Sequence, residues 1–252
     1  MQKLVIGNWK LNFDHFQAIS HLQKINYSLT DRIFNNIDLV VAPSHTLLRS
    51  IQTVIDTDNL KISCAAQDVS KFEEGSYTGE VGAFQLNKLN ISWSIIGHSE
   101  RRIKFNETDL DINTKLKNLL KNKINPIICI GENLQERNQN LHLEKCLEQV
   151  REIFKGIRKD NLGKVAIAYE PIWAVGTGDV AKPEDVDEIL KEIRKYLQEK
   201  SYELDKFRFI YGGSVNPKNV KDFILNKNIE GFLVGGASLS VDDFVKIIKL
   251  SL

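Results

Sequence analysis

Three residues of types that move protons stand just beyond apolar runs: Lys10 in "GNWK", His98 in "GHSERR" and Glu170 in "AYEPIWAVGTG". Glu170 is followed at once by Pro171 and then by a segment that is mostly apolar or glycine. Such a segment can exclude water, which raises a carboxylate's pKa and leaves it a stronger base when ionised. The plainer reading is a carboxylate capping a strand end in water. His98 follows Gly97 at a turn that could open a short helix. The positive end of a helix disfavours imidazolium, so the ring could act as a neutral hydrogen-bond donor or serve only as a satisfied structural residue. Lys10 reads either as a surface lysine or as a cation aimed into a site. Two glycine pairs, Gly212-Gly213 before Ser214 and Gly235-Gly236, could each be a turn. Together they suit backbone N–H groups that approach an anion closely.

The elements that would hold these residues are legible as apolar runs. They are "KLVIGN" from Lys3, "IDLVVA" from Ile37, "LKISCAA" from Leu60, "SWSIIG" from Ser92, "NPIICIG" from Asn125, "KVAIAYE" from Lys164, "FRFIYGG" from Phe207 and "GFLVGG" from Gly231. Mostly continuous rather than alternating, they suit parallel strands covered on both faces. Helical patterns lie between them. Val186, Ile189, Leu190, Ile193 and Leu197 form one stripe, and Leu143, Leu147, Val150, Phe154 and Ile157 form another. Pro183 with Glu184 and Asp185 reads as a first turn, Asn216-Pro217 as N-cap plus N1, and Ser240 with Asp243 as a capping box. Eight βα units over 252 residues, with no linker dividing them, suggest one domain spanning residues 1–252. The expected architecture is a closed (β/α)8 barrel, with an open doubly wound sheet as the alternative. In a barrel, chemistry belongs at the C-terminal strand ends. Those ends hold Asn8 and Lys10, His98, Glu170, the Gly212–Ser214 stretch and the Gly235-Gly236 pair.

A net charge of +1 gives no electrostatic case for nucleic acid or an anionic membrane. Cys64, Cys129 and Cys146 are widely spaced and odd in number, which fits a reducing compartment rather than a disulfide framework. The N-terminal apolar run is too short for a signal peptide and no stretch approaches a membrane span, so a cytoplasmic, soluble protein is expected. The run "GTGDVA" from Gly176 matches a dinucleotide fingerprint. However, Pro171 to Val175 separate it from the strand it would need to follow. His142 and Cys146 share a helical face with nothing nearby to complete a metal site. No metal is expected.

Taken in order and spacing, "GNWK", "GHSERR", "AYEPIWAVGTG", "YGGSV" and "LVGGASL" resemble the triosephosphate isomerase family from Lys3 to the last helix. The resemblance implies interconversion of dihydroxyacetone phosphate and D-glyceraldehyde 3-phosphate in glycolysis and gluconeogenesis, without metal or organic cofactor. By it, Glu170 is the base, His98 the neutral electrophile and Lys10 the cation facing developing negative charge. Asn8 orients Lys10 and the substrate, while Glu100 pairs with the lysine. Gly176, Ser214, Gly235 and Gly236 bind the phosphate. Pro171 to Thr177 form a closing flap, with Trp173 near its first hinge and Tyr211 and Ser214 as latches. "GSYTGE" resembles a loop that enters a partner subunit and carries Thr78 to that partner's site, which implies a homodimer. The chain departs from the family's commoner residues at Asp68, Asp179 and "APSHTLL" after the second strand. The Asp68 departure bears on local hydrogen bonding and dimer contacts.

Two rivals remain at this stage. Lys10 could be a Schiff-base nucleophile of a barrel lyase, or the chain could bind phosphosugars without catalysis.

Overall fold

A computed structural model describes residues 2–174 and 181–252. The eight apolar runs are its eight strands: β1 (Lys3–Asn8), β2 (Ile37–Ala42), β3 (Ser63–Ala66), β4 (Trp93–Ile96), β5 (Asn125–Ile130), β6 (Val165–Tyr169), β7 (Phe207–Tyr211) and β8 (Gly231–Val234). Each pairs in parallel with its sequence neighbours, and β8 pairs with β1, so the sheet closes. The expected barrel is therefore present and the open sheet is excluded. Around it lie α1 (His15–Tyr27), α2 (Asp31–Phe34), α3 (Leu48–Thr57), α4 (Ala83–Lys88), α5 (Ser99–Phe105), α6 (Asp109–Lys121), α7 (Leu134–Asn138), α8 (His142–Ile153), α9 (Pro183–Glu199), α10 (Val220–Ile224) and α11 (Val241–Leu250).

The strand runs are continuous because both faces are covered. Leu4 and Ile6 point into an inner cluster with Val40, Ala65, Ile95, Ile127, Ala166, Ala168, Ile210 and Leu233. Val5, between them, joins the outer cluster that the helices cover. In α9, Val186, Ile189, Leu190, Ile193 and Leu197 are all fully buried, each contributing about 1.5–3 kcal/mol relative to exposure. Pro183 opens that helix at its first turn. Ser240 caps α11 by accepting the Asp243 N–H.

Two local expectations are corrected. The stripe from Leu143 to Ile157 does face the core, but α8 ends at Ile153, so Phe154 and Ile157 are buried beyond it, and Cys146, Gln149 and Ile153 join Val150 on its buried face. Gln149 turns inward because its amide exchanges hydrogen bonds with the Gly131 backbone, at 2.9 and 3.0 Å. Asn216 does not cap a helix either: α10 starts at Val220. The Asn216 side chain instead accepts the N–H groups of Lys218 and Asn219 in a preceding turn.

The ends of β5 and β6 approach closely. The Glu170 N–H donates to the Ile130 carbonyl at 2.7 Å. A Cβ on Gly131 would strike the Glu170 carbonyl oxygen and lie 2.7 Å from its carbon. Backbone on both sides leaves little to give, so Gly131→Ala is expected to cost about 1–3 kcal/mol or more. A urea midpoint equal to that of the unaltered protein would show the approach to be looser than described.

Candidate active site

Helix α5 organises the centre of the barrel mouth. Gly97, at φ +71°, takes the left-handed turn that ends β4 and starts this helix. His98 is its N-cap and accepts the Glu100 N–H on Nδ1 at 3.2 Å. An acceptor at Nδ1 leaves the ring proton on Nε2. That Nε2 lies 3.3 Å from Glu170 Oε1. The next helix amide, Ser99 N–H, donates to Glu170 Oε2 at 2.9 Å. Glu170 is 2% exposed, and its Oε1 has no hydrogen-bond partner among the described residues. Gly212 makes room for it: a Cβ there would lie 2.8 Å from Glu170 Cγ.

Lys10 follows β1 with φ +51° and its N–H donates to Asn8 Oδ1 at 3.1 Å. Its ammonium group pairs with Glu100 Oε1 at 2.7 Å. Burial works to raise the Glu100 carboxyl, but the hydrogen bond and charge of Lys10 outweigh it and hold the group below its usual value. The backbone oxygen of Lys10 accepts from Gln67 Nε2 at 2.8 Å. Gly235 lies alongside the lysine, where a Cβ would sit 3.4 Å from Lys10 Cε, and nothing approaches a Cβ on Gly236 within 4 Å. A cavity of about 280 Å³ beside these groups is lined by Asn8, Lys10, His98 and Glu100, together with Leu11, His45, Gln67, Asp68, Arg101 and Phe105.

Of the residues expected in and around a flap, the described ones follow β6, end β7 or follow it. Pro171 is buried, and Trp173 is half-buried on a short 3-10 turn, Ile172–Ala174. Ser214 Oγ donates to the Ala174 carbonyl at 2.8 Å. The Tyr211 ring is fully buried and stacks on Phe223 at 4.4 Å. Its hydroxyl sits beside the Ala181 backbone without a hydrogen bond of good geometry among the described residues, and burial pushes its pKa up. Gly176, Thr177 and Asp179 lie outside the described residues. Thr78 is on an exposed loop and does not line the cavity.

Sequence reasoning missed Glu132. This carboxylate, 0% exposed, follows β5 as Glu170 follows β6. Its Oε1 accepts the Trp173 indole N–H at 2.8 Å and the Tyr169 hydroxyl at 3.1 Å. The Cys146 thiol points to its Oε2 at 3.8 Å. "CIGE" carries the same signal as "AYE", a carboxylate ending an apolar strand. The paired arginines also resolve differently from each other. Arg101 pairs with Glu107 and with Asp68, the latter at 2.8 Å. Arg102 pairs with Asp109 at 2.6 Å and donates to the carbonyls of Gly97 and Cys129. Neither pairs with Glu100. Asp68, 8% exposed, is the centre of a buried charge cluster, with Lys115 Nζ at 2.7 and 2.8 Å from its two oxygens. Burial raises its carboxyl against the opposing pull of Lys115.

The geometry joins a buried carboxylate, a neutral imidazole N–H, an ammonium group and two glycine-lined turns at one end of a parallel barrel. Comparison with known proteins places the chain in a family. The family model described as triosephosphate isomerase matches residues 3–251. The chain belongs to the triosephosphate isomerase family. It is 44% identical over 250 residues to the triosephosphate isomerase of Mycolicibacterium paratuberculosis, covering 98% of this chain and 96% of that one. The same identity and coverage hold for that of Mycobacterium avium. The triosephosphate isomerase of Saccharopolyspora erythraea is 42% identical over 248 residues, covering 98% of this chain and 95% of the relative. Membership makes the chain an isomerase, and the reaction its site must account for is the isomerisation of a triose phosphate.

Cys129 sits on the inner face of the barrel, fully buried. Burial first, and then the neighbouring Glu170 charge, push its thiol well above the ordinary range. Cys64 and Cys146 are buried and raised as well. Thiolate is the reactive form. In the folded protein at pH 8, therefore, no thiol should react with an aromatic disulfide reagent within minutes, whereas all three cysteines should react in guanidinium. Rapid labelling of Cys129 in the native protein would contradict this.

Proposed function

We propose that Glu170, His98 and Lys10 carry the interconversion of dihydroxyacetone phosphate and D-glyceraldehyde 3-phosphate. The observation that carries the reading is Glu170 Oε1. It is a buried carboxylate oxygen with no hydrogen-bond partner among the described residues, and it faces His98 Nε2 at 3.3 Å. A proton α to a carbonyl is weakly acidic, so its removal needs both a base and stabilisation of the oxyanion that forms. Glu170 Oε1 takes the proton from C1 of the ketose, and the released electron pair moves through C2 onto the carbonyl oxygen. The His98 N–H and the Lys10 ammonium group stabilise that oxygen as the enediolate forms. His98 passes a proton between the two oxygens, and Glu170 returns its proton to C2. Atoms and electrons balance within the substrate and these side chains.

The phosphate does not react. We assign it to the backbone amides of Gly235 and Gly236 and to Ser214, with Gly176 as a further donor from the flap. Its binding energy then serves closure and orientation. Pro171, Trp173 and Thr177 belong to the flap, which keeps water from the enediolate and so prevents loss of phosphate. Tyr211 and Ser214 latch it, and the Ser214 bond to Ala174 supports that role. Asn8 orients Lys10, and Glu100 keeps the lysine charged. A charged, paired lysine is a poor Schiff-base nucleophile, and failure of borohydride to trap a covalent adduct is the corresponding expectation.

Residues 1–252 are read as a single barrel domain acting as a homodimer, with Thr78 entering the partner's site. Support for a dimer comes from apolar groups left on the surface around that loop and cavity. Leu11 is 93% exposed, and Phe72 and Tyr77 stack at 3.9 Å while 37% and 43% exposed. No helix of the described residues is long and apolar enough to cross a membrane. The three unpaired cysteines favour a cytoplasmic setting, and the near-neutral charge offers nothing to nucleic acid.

Glu170→Asp withdraws the carboxylate by roughly 1 Å and should lower kcat by about 10²-fold or more, with an unchanged melting curve. Near-normal turnover in a coupled assay would remove Glu170 as the base. For the dimer, Tyr77→Asp should shift the sedimenting species towards monomer and lower activity with it. A variant that stays fully active as a monomer would rule out the contribution of the partner's loop.

A further inference from the structure

His21 lies on α1 and belongs to none of the groups assigned above. It is 6% exposed and packed against two rings of the β1–α1 loop: Trp9 at 5.3 Å and 76°, and Phe13 at 4.7 Å and 35°. Its Nε2 lies 2.8 Å from the Ser238 carbonyl oxygen. A carbonyl only accepts, so Nε2 carries a proton and donates it. One side chain thus touches both the loop that presents Lys10 and the turn that follows β8.

Each of those segments needs a hold. Lys10 and Phe13 adopt left-handed backbone, at φ +51° and +70°, which non-glycine residues keep only where their surroundings fix them. Beyond β8, the Ser238 N–H and hydroxyl both return to the Gly235 carbonyl, at 2.8 and 2.7 Å. The turn is therefore a small closed unit, and its Ser238 carbonyl is fastened to the imidazole. Burial holds His21 below its ordinary pKa, with the Ser238 carbonyl opposing and Lys24 reinforcing. A core histidine kept only for packing would be equally well served by an apolar side chain.

We propose that His21 is a positioning residue for the phosphomonoester end of the substrate: through Ser238 it sets the Gly235–Gly236 amides relative to Lys10. The proposal rests on the assignment of phosphate to those glycines. A bond that only trims the placement of the phosphate turn leaves the phosphate able to drive closure and is felt mainly in how tightly the phosphate is held. Its loss therefore raises KM and leaves kcat.

His21→Leu keeps apolar contact with Trp9 and Phe13 and removes the donor. KM and the competitive inhibition constant of inorganic phosphate should both rise about three- to tenfold, with kcat within about twofold. His21→Gln, whose amide can donate to the same carbonyl, should recover most of the loss. Unchanged KM and phosphate inhibition in a folded His21→Leu overturn the proposal, as does a His21→Gln no better than His21→Leu. Gly236→Val separates this from the underlying assignment, because a Cβ there meets no neighbour while the side chain would fill the phosphate's space. Persistent phosphate inhibition in Gly236→Val removes the phosphate assignment itself; its loss there beside an unaffected His21→Leu removes only the role of His21. In the unaltered protein, the His21 Nε2 proton, assigned by its absence in His21→Gln, should shift on titration with inorganic phosphate. A signal unmoved at saturation overturns the proposal even if His21→Leu does not fold.

Discussion

The site depends on how the first amides of α5 are used. A helix leaves its N-terminal N–H groups without internal partners. Here Ser99 N–H goes to the Glu170 carboxylate and Glu100 N–H to the His98 ring. The first bond orients the carboxylate and helps compensate its burial, leaving its second oxygen free. The second fixes the imidazole tautomer, so that the ring's remaining proton faces the site. One helix terminus therefore sets the state of both residues. The strand before it and the strand two places on must then keep their ends within hydrogen-bonding reach, which barrel closure provides.

The surrounding charges can be understood as a frame for that terminus. Arg102 ties α5 back to the carbonyls of Gly97, just after β4, and of Cys129, within β5. Arg101 leads into the buried cluster of Asp68, Glu107 and Lys115, which joins α5, α6 and the residues after β3. A buried ion pair is weak evidence for stability, because desolvation offsets its attraction. Its geometric effect is clearer: Arg101 and Lys115 share Glu107 Oε1 and both reach Asp68, while Glu107 Oε2 has no partner among the described residues, so the four groups are held by few, shared contacts. The departure to Asp68 is accommodated in this cluster as a second anion opposite Arg101 and Lys115. It alters the charge balance behind the site, while Lys10, His98 and Glu170 keep their own partners.

Much of this was legible in the sequence, for uneven reasons. The strands could be read because parallel strands buried on both faces retain continuous apolar runs, and α9 because its stripe has no competing polar demand. The α8 stripe found the core-facing apolar residues but not Gln149, whose backbone partner across the helix–strand interface is information that hydropathy does not carry. Asn216-Pro217 misled because an Asx-type turn and a helix cap use the same residues. At the site, Glu170 stood out beside its apolar segment, whereas Glu132 was hidden in a polar-looking "GENLQER". His21 was invisible as anything but a helix residue. Its neighbours are 217 positions away at Ser238 and on the preceding loop, and only closure of β1 against β8 brings them together.

Two carboxylates of similar sequence context are held in different ways. Glu170 and Glu132 each follow an apolar strand and are almost wholly buried. Glu132 has donors at both oxygens, from Tyr169, Trp173 and Cys146, and is a saturated anchor for the segment that follows Glu170. Glu170 has one oxygen held and one unclaimed among the described residues. A buried acceptor left open is costly to keep, and the fold spends close glycine packing at Gly131 and Gly212 to hold it there. The open oxygen of Glu170 thus follows from what its neighbours withhold, and the anchoring of Glu132 from what they supply.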